Sequence, residues 1–135
     1  KITIFDRTWY GRVLVERIEG FASVVEWQRA YHEINRFEEN LVDSQTVIVK
    51  IWLAISKDEQ EIRFKDREQT PHKRFKITEE DWRNRDKWDD YLNAAADMFE
   101  RTNTDYAPWY VISTDDKNTA RIEVLKAILK QLKAG

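Results

Sequence analysis

The run Thr46-Val-Ile-Val-Lys-Ile-Trp-Leu-Ala-Ile55 constrains the fold more than any other stretch of the chain. Its β-branched richness and near-continuous apolarity suit a strand covered on both faces, and such strands belong to parallel sheets flanked by helices. The neighbouring segments supply helices. Ser23-Val-Val-Glu26 is a capping-box pattern, after which Trp27, Ala30, Tyr31, Ile34, Phe37 and Leu41 recur at helical spacing, predicting a helix over about 23–42. A second capping box, Ser56-Lys-Asp-Glu59, opens a helix that runs through Arg63 and Arg67 towards Thr70-Pro71, where proline stops it. Thr78-Glu-Glu-Asp81 opens a short helical turn, and Trp88, Tyr91, Leu92, Ala95, Met98 and Phe99 mark a longer helix ending near Arg101. Pro108 introduces a short strand, Trp109-Tyr-Val-Ile-Ser113. Asp115 or Asp116 then caps a last helix, with Val124, Leu125, Ile128 and Leu132 expected on its inner face. Ahead of all these, Ile2, Ile4 and Phe5 form a β-rich run compatible with a buried strand ending at Asp6.

The order strand, helix, strand, helices, strand, helix predicts an α/β domain of parallel strands joined by crossovers. About three strands make a narrow sheet, which would leave apolar surface and an unpaired edge. The expectation is therefore an incomplete domain, with a missing N-terminal part ahead of Lys1, or a second chain, completing the sheet; the open edge also predicts a homo-oligomer. No linker, repeat or low-complexity tract divides the 135 residues into subdomains. With 23 Lys and Arg against 25 Asp and Glu, no large net field draws the chain to nucleic acid or to an anionic membrane, so any anion site is local. The absence of cysteine removes disulfide scaffolds, thiol nucleophiles and Cys-based zinc sites, and fits a cytoplasmic protein. No apolar run approaches 18 residues, so a soluble chain with neither membrane span nor leader is expected. The three glycines, Gly11, Gly20 and Gly135, cannot form a G-x-x-x-x-G-K-S/T loop or a G-x-G-x-x-G turn.

An Asp at the C-terminal end of a buried parallel strand sits at the crevice where open α/β sheets bind ligands. Asp6 is placed in that way, and in phosphate-transfer enzymes such a residue holds Mg²⁺ and helps orient the attacking oxygen. The plainer alternative is that Asp6 caps the following turn. Arg7, Tyr10, Arg12 and Arg17 add polar donors nearby in sequence, and guanidinium forks match phosphate oxygens.

From Phe5-Asp-Arg-Thr-Trp-Tyr-Gly-Arg12 through Val15-Glu-Arg17, the chain resembles the second nucleotide-binding motif of the polyphosphate kinase 2 family. The likeness continues at Glu59-Gln with Arg63-Phe and Arg67, at Pro71-His-Lys-Arg-Phe-Lys76, at Asp81-Trp-Arg-Asn-Arg85, at Ala107-Pro-Trp109 and at Asp115-Asp-Lys117. The resemblance implies a P-loop kinase-like, three-layer α/β fold with a helical lid at about 64–90. It implies phosphoryl transfer between inorganic polyphosphate and a nucleotide, with Mg²⁺ as cofactor. By the same resemblance Asp6 matches the metal-associated carboxylate, and Arg7 and Arg12 face the transferring phosphate. Arg17, Arg63, Arg67, Arg74 and Lys76 would contact phosphate or polyphosphate. Trp82-Arg-Asn-Arg-Asp-Lys-Trp88 and Glu19-Gly-Phe21 look most like tandem-domain members that prefer AMP and yield ADP. The family's glycine-rich first motif with its Lys is not in this sequence, so the resemblance is to the C-terminal part of the domain. The isolated chain is accordingly expected to be inactive. The rival readings are a non-catalytic assembly or regulatory module of kinase-like shape, and part of an ATP-dependent nucleoside monophosphate kinase.

Plainer roles account for much of the rest. Lys57 to Asp90 hold ten basic and eleven acidic residues, so most of these are expected to be i,i+4 pairs on solvated faces. Trp27 and Trp88 fall on apolar helical stripes and Trp52 and Trp109 in strands, which favours packing over base stacking; Trp9 and Trp82 are open. His32 is expected to face solvent, and His72 to be incidental in the lid.

Overall fold

A computed structural model describes residues 2–6, 8–69 and 86–134. The expected turn at Thr78, the end of the helix at Thr70-Pro71, and Arg7, His72, Arg74, Lys76 and Trp82 lie outside the described residues. A 3-10 helix at Trp9–Val13 leads into a short helix α1 (Val15–Ile18) and a long helix α2 (Val24–Asp43). Then come β1 (Lys50–Ala54), α3 (Lys57–Gln69), α4 (Trp88–Thr102), β2 (Trp109–Ser113) and α5 (Lys117–Ala134). The chain divides into two compact units, residues 1–48 with 89–108 and residues 49–88 with 109–135. No composition shift foretold that division, because each unit is assembled from two separated stretches of chain.

In the first unit, Ser23 opens α2 through the expected capping box: its side chain accepts from the Glu26 amide, and the Glu26 carboxylate accepts from the Ser23 amide. That second bond, with help from Arg12, holds the Glu26 carboxyl below its ordinary pKa. Gly20 ends the α1 turn with φ 76°, a left-handed position that glycine fills without steric penalty. At the other end of α2, the Gln45 amide bonds to the Val42 carbonyl and the Thr46 amide to the Leu41 carbonyl. This Schellman arrangement puts Gln45 at φ 67°, where glycine is usual. Buried residues include Tyr10, Val13, Ala22, Ala30, Tyr31, Ile34 and Glu38 from the first stretch and Ala94, Ala95, Met98, Thr102 and Ala107 from the second. Asn35 Nδ2 donates to the Arg101 carbonyl, and the Arg101 guanidinium lies 5.2 Å over the Tyr31 ring.

In the second unit β1 and β2 pair in parallel, Lys50 opposite Trp109 and Ala54 opposite Ser113. The strand expected over 46–55 is shortened to five residues, because the ladder runs only as far as its partner β2, from Trp109 opposite Lys50 to Ser113 opposite Ala54. Lys50 is buried, its ammonium 5.0 Å from the centre of the Trp109 ring. The sheet packs on α5 through Ile112, Ala120 and Ala127, with Ile51, Tyr110 and Val124 against them.

Two expectations are corrected here. The sheet of the described residues has two strands, not three: Ile2, Ile4 and Phe5 are exposed, with no ladder partner, so that run is not a strand. β-branched composition favours pairing but cannot substitute for a neighbour to pair with. Of the inner face expected for α5, Val124 does pack against the core and Ile128 is half-buried, but the two leucines are not on it. Ala120, Ala127 and Gln131 are buried, whereas Leu125 and Leu132 are more than half exposed. Small side chains at 120 and 127 allow the helix to approach the sheet closely, and the buried Gln131 is satisfied by the Tyr110 hydroxyl at 2.9 Å.

Candidate functional site

In the first unit the candidate site is the turn between Asp6 and Arg17. Asp6 is an exposed bend residue, not the end of a buried strand. The Thr8 side chain caps the turn by accepting from the Tyr10 amide. The donors that follow Asp6 in sequence diverge in space. Tyr10 turns inward, and its hydroxyl donates to Glu38 Oε2 at 2.7 Å. Burial and the adjacent carboxylate push the Tyr10 hydroxyl far above the ordinary tyrosine pKa. Arg12 is partly exposed and lies 3.7 Å from Glu16 and 3.3 Å from Glu26. Arg17 donates to Asp97 at 2.8 Å and to the Tyr31 hydroxyl at 3.1 Å, with its guanidinium 4.1 Å over the Trp27 ring. These contacts tie Arg17 to α2 and α4. A polar hollow of about 270 Å³ lies beside it, lined by Arg17, Ile18, Asp90 and Asn93.

In the second unit the candidate site is the C-terminal end of the parallel strands, where α3 and α5 begin. The Ser56 amide donates to Asp115 Oδ1, and the Thr114 amide and hydroxyl both donate to the Ala54 carbonyl. Asp116 caps α5 by accepting from the Asn118 and Thr119 amides, which holds its carboxyl below the usual range. The expected capping role of this aspartate pair thus falls to Asp116, while Asp115 fastens the α3 entry. Arg63 lies across the same edge: Nε meets Glu59 at 3.1 Å and one terminal nitrogen donates to the Thr114 carbonyl at 2.6 Å. Arg67, one turn further along α3, is partly exposed.

Sequence spacing grouped Asp6, Tyr10, Arg12 and Arg17 because they are close along the chain; the 3-10 turn and α1 point them to different partners. The residue that sequence reasoning missed is Glu38. It lies four residues past Ile34 and seven past Tyr31 on the buried face of α2, unlike the exposed Glu39, so the helical spacing was the signal that could have marked it as a carboxylate at a core position. Among the described residues no group of three His, Cys, Asp or Glu side chains forms a metal cage. A single exposed carboxylate such as Asp6 still suits Mg²⁺, which keeps much of its water and takes its other ligands from substrate phosphates.

The sequence profile described as Polyphosphate kinase 2 matches residues 1–135. The chain belongs to the polyphosphate kinase 2 family. It is 81% identical over 133 residues to a Polyphosphate:AMP phosphotransferase of Acinetobacter johnsonii, covering 98% of this chain and 28% of that protein. A Polyphosphate:AMP phosphotransferase of Pseudomonas aeruginosa is 58% identical over 135 residues, covering 100% of this chain and 27% of the relative. The crystal structure of Polyphosphate Kinase 2 from Arthrobacter aurescens TC1 superposes with a TM-score of 0.88 at 41% identity, over 96% of this chain and 46% of that one. The chain thus spans less than a third of the length of the two curated relatives.

Proposed function

We propose that this polyphosphate kinase 2 chain is part of a P-loop kinase-like enzyme that moves the terminal phosphoryl group of inorganic polyphosphate to AMP, giving ADP. The observation that carries this reading is the 81% identity to a relative named Polyphosphate:AMP phosphotransferase, which extends through the Asp6–Arg17 turn and the α3 entry. In the transfer, an oxygen of the acceptor phosphate attacks the terminal phosphorus while the bond to the polyphosphate chain breaks. Catalysis of such a step is mainly positioning and charge stabilisation. Asp6 is the residue offered to Mg²⁺, which when bound compensates phosphate charge. Arg12, whose two partners are half-exposed surface carboxylates, can exchange them for phosphate oxygens with little penalty. Arg67 is offered to the polyphosphate chain, and so are Arg7, Arg74 and Lys76. Arg17 and Arg63 already have close protein partners, so their part in phosphate binding is proposed only through the elements they hold.

The glycine-rich motif is not among these 135 residues, and the chain by itself is expected not to turn over. The test uses the full-length protein that carries this chain, assayed for ADP formation from polyphosphate and AMP with Mg²⁺. Asp6→Asn is expected to lower turnover by at least about a hundredfold with the circular dichroism spectrum unchanged. Near-normal turnover of that variant would remove Asp6 from the mechanism.

A further inference from the structure

Glu38 is fully buried on α2, away from the groups proposed to meet the phosphates. An isolated carboxylate withdrawn from water is costly unless donors surround it. Among its contacts, Oε2 accepts from two groups of the turn that follows Asp6: the Tyr10 hydroxyl at 2.7 Å and Trp9 Nε1 at 3.2 Å. The Trp9 ring is gripped from two more sides, edge-on to Phe37 at 5.0 Å and to Phe5 at 5.5 Å between centroids. Phe5 immediately precedes Asp6, and Arg12 follows Tyr10 by two residues. The segment presenting the exposed Asp6 and Arg12 is therefore pinned from beneath at neighbouring positions, and α2 supplies both Phe37 and Glu38.

We infer that Glu38 is a positioning residue for phosphoryl transfer, acting through Trp9 and Tyr10 to hold the Asp6–Arg12 turn in its working geometry. The inference rests on the proposed role of Asp6. If it holds, loosening the anchor misplaces groups that act in the transition state more than it weakens substrate binding. In phosphoryl transfer a misplacement of about 1 Å is enough to lower the rate by about two orders of magnitude.

The test compares Glu38→Gln, Tyr10→Phe and their double variant in the full-length protein, with Asp6→Asn in parallel. Glu38→Gln keeps the shape of the side chain but replaces the doubly accepting carboxylate; Tyr10→Phe removes one hydroxyl. Each single variant is expected to lower kcat about ten- to a hundredfold with KM for AMP and polyphosphate within about twofold. The double variant should be no slower than the worse single one, since both break the same contact. Normal kcat in Tyr10→Phe and Glu38→Gln overturns the inference, even if the melting temperature falls, because Glu38 is then only a core group. Should Glu38→Gln fail to fold, Tyr10→Phe decides alone. If Asp6→Asn loses turnover while the anchor variants keep it, the inference fails and the reading of Asp6 stands. If Asp6→Asn keeps turnover, both fall.

Discussion

Gln45 is held at φ 67°, a left-handed conformation that places a Cβ too near the following carbonyl, yet the Schellman bonds at the end of α2 require it. Replacing it with glycine removes that strain while adding unfolded-state entropy, and the strain is the larger effect. Gln45→Gly is therefore expected to stabilise the protein by about 0.5–1 kcal/mol, measured by urea denaturation; a lower midpoint would show that the Gln45 side chain contributes more than its backbone loses. At this scale the helix start was legible, because a capping box is a local pattern and both halves of it form at Ser23 and Glu26. The exposure of His32 was legible for the same reason, from its position on the polar side of α2. The destinations of Arg17 and Arg63 were not. Asp97 lies far along the chain from Arg17, and the carbonyl that Arg63 meets belongs to Thr114, so only the fold brings these partners within reach. Guanidinium chemistry marks an arginine as able to bind phosphate, but it equally suits a carboxylate or a backbone carbonyl.

Helices α2 and α4 and strand β2 stand close to where periodicity placed them; Ala30, Tyr31, Ile34, Ala95 and Met98 of the expected stripes are buried, while Phe37 and Leu92 are exposed. Two elements departed, each because a strand or helix face is defined by what covers it. The Ile2–Phe5 run has strand composition and no ladder. The leucines of α5, at 125, 129 and 132, share one face with Ile122, and that face is exposed; the sheet takes the opposite side, where Ala120 and Ala127 lie, so an apolar stripe alone did not say which face is covered. That choice has a measurable consequence. Ala127 packs with Ile112 and Ala120, so Ala127→Leu forces three extra carbons into a close helix–sheet contact. It should destabilise by about 1–3 kcal/mol, read from the shift of the denaturation midpoint. An unchanged midpoint would show that α5 does not seat on the sheet through this face.

At the scale of the whole chain, a net charge of −2 over these 135 residues offers a polyanion no general attraction, so the polyphosphate binding proposed above would draw here on a few placed cations. On α3 the two candidates differ in what they already hold. Arg63 is bonded to Glu59 and to the carbonyls of Thr114 and Asp115, joining α3 to the end of β2. Arg67 sits in the last turn of α3 and is free of ion pairs among the described residues. Removing the Arg63 side chain should therefore act first on stability, leaving the Thr114 carbonyl without its charged donor at about 1–3 kcal/mol. Removing Arg67 should act on affinity, with the melting temperature unchanged. In the full-length protein, binding of polyphosphate measured between 50 and 200 mM salt should weaken by roughly tenfold if two phosphate contacts are released, taking nucleic-acid counterion release as the guide. The Arg67→Ala variant should show weaker binding at low salt together with a shallower salt dependence, because one contact has gone. An Arg67→Ala protein with wild-type affinity and slope would exclude this helix from the polyphosphate path, and would shift the search for the binding cations to residues beyond α3.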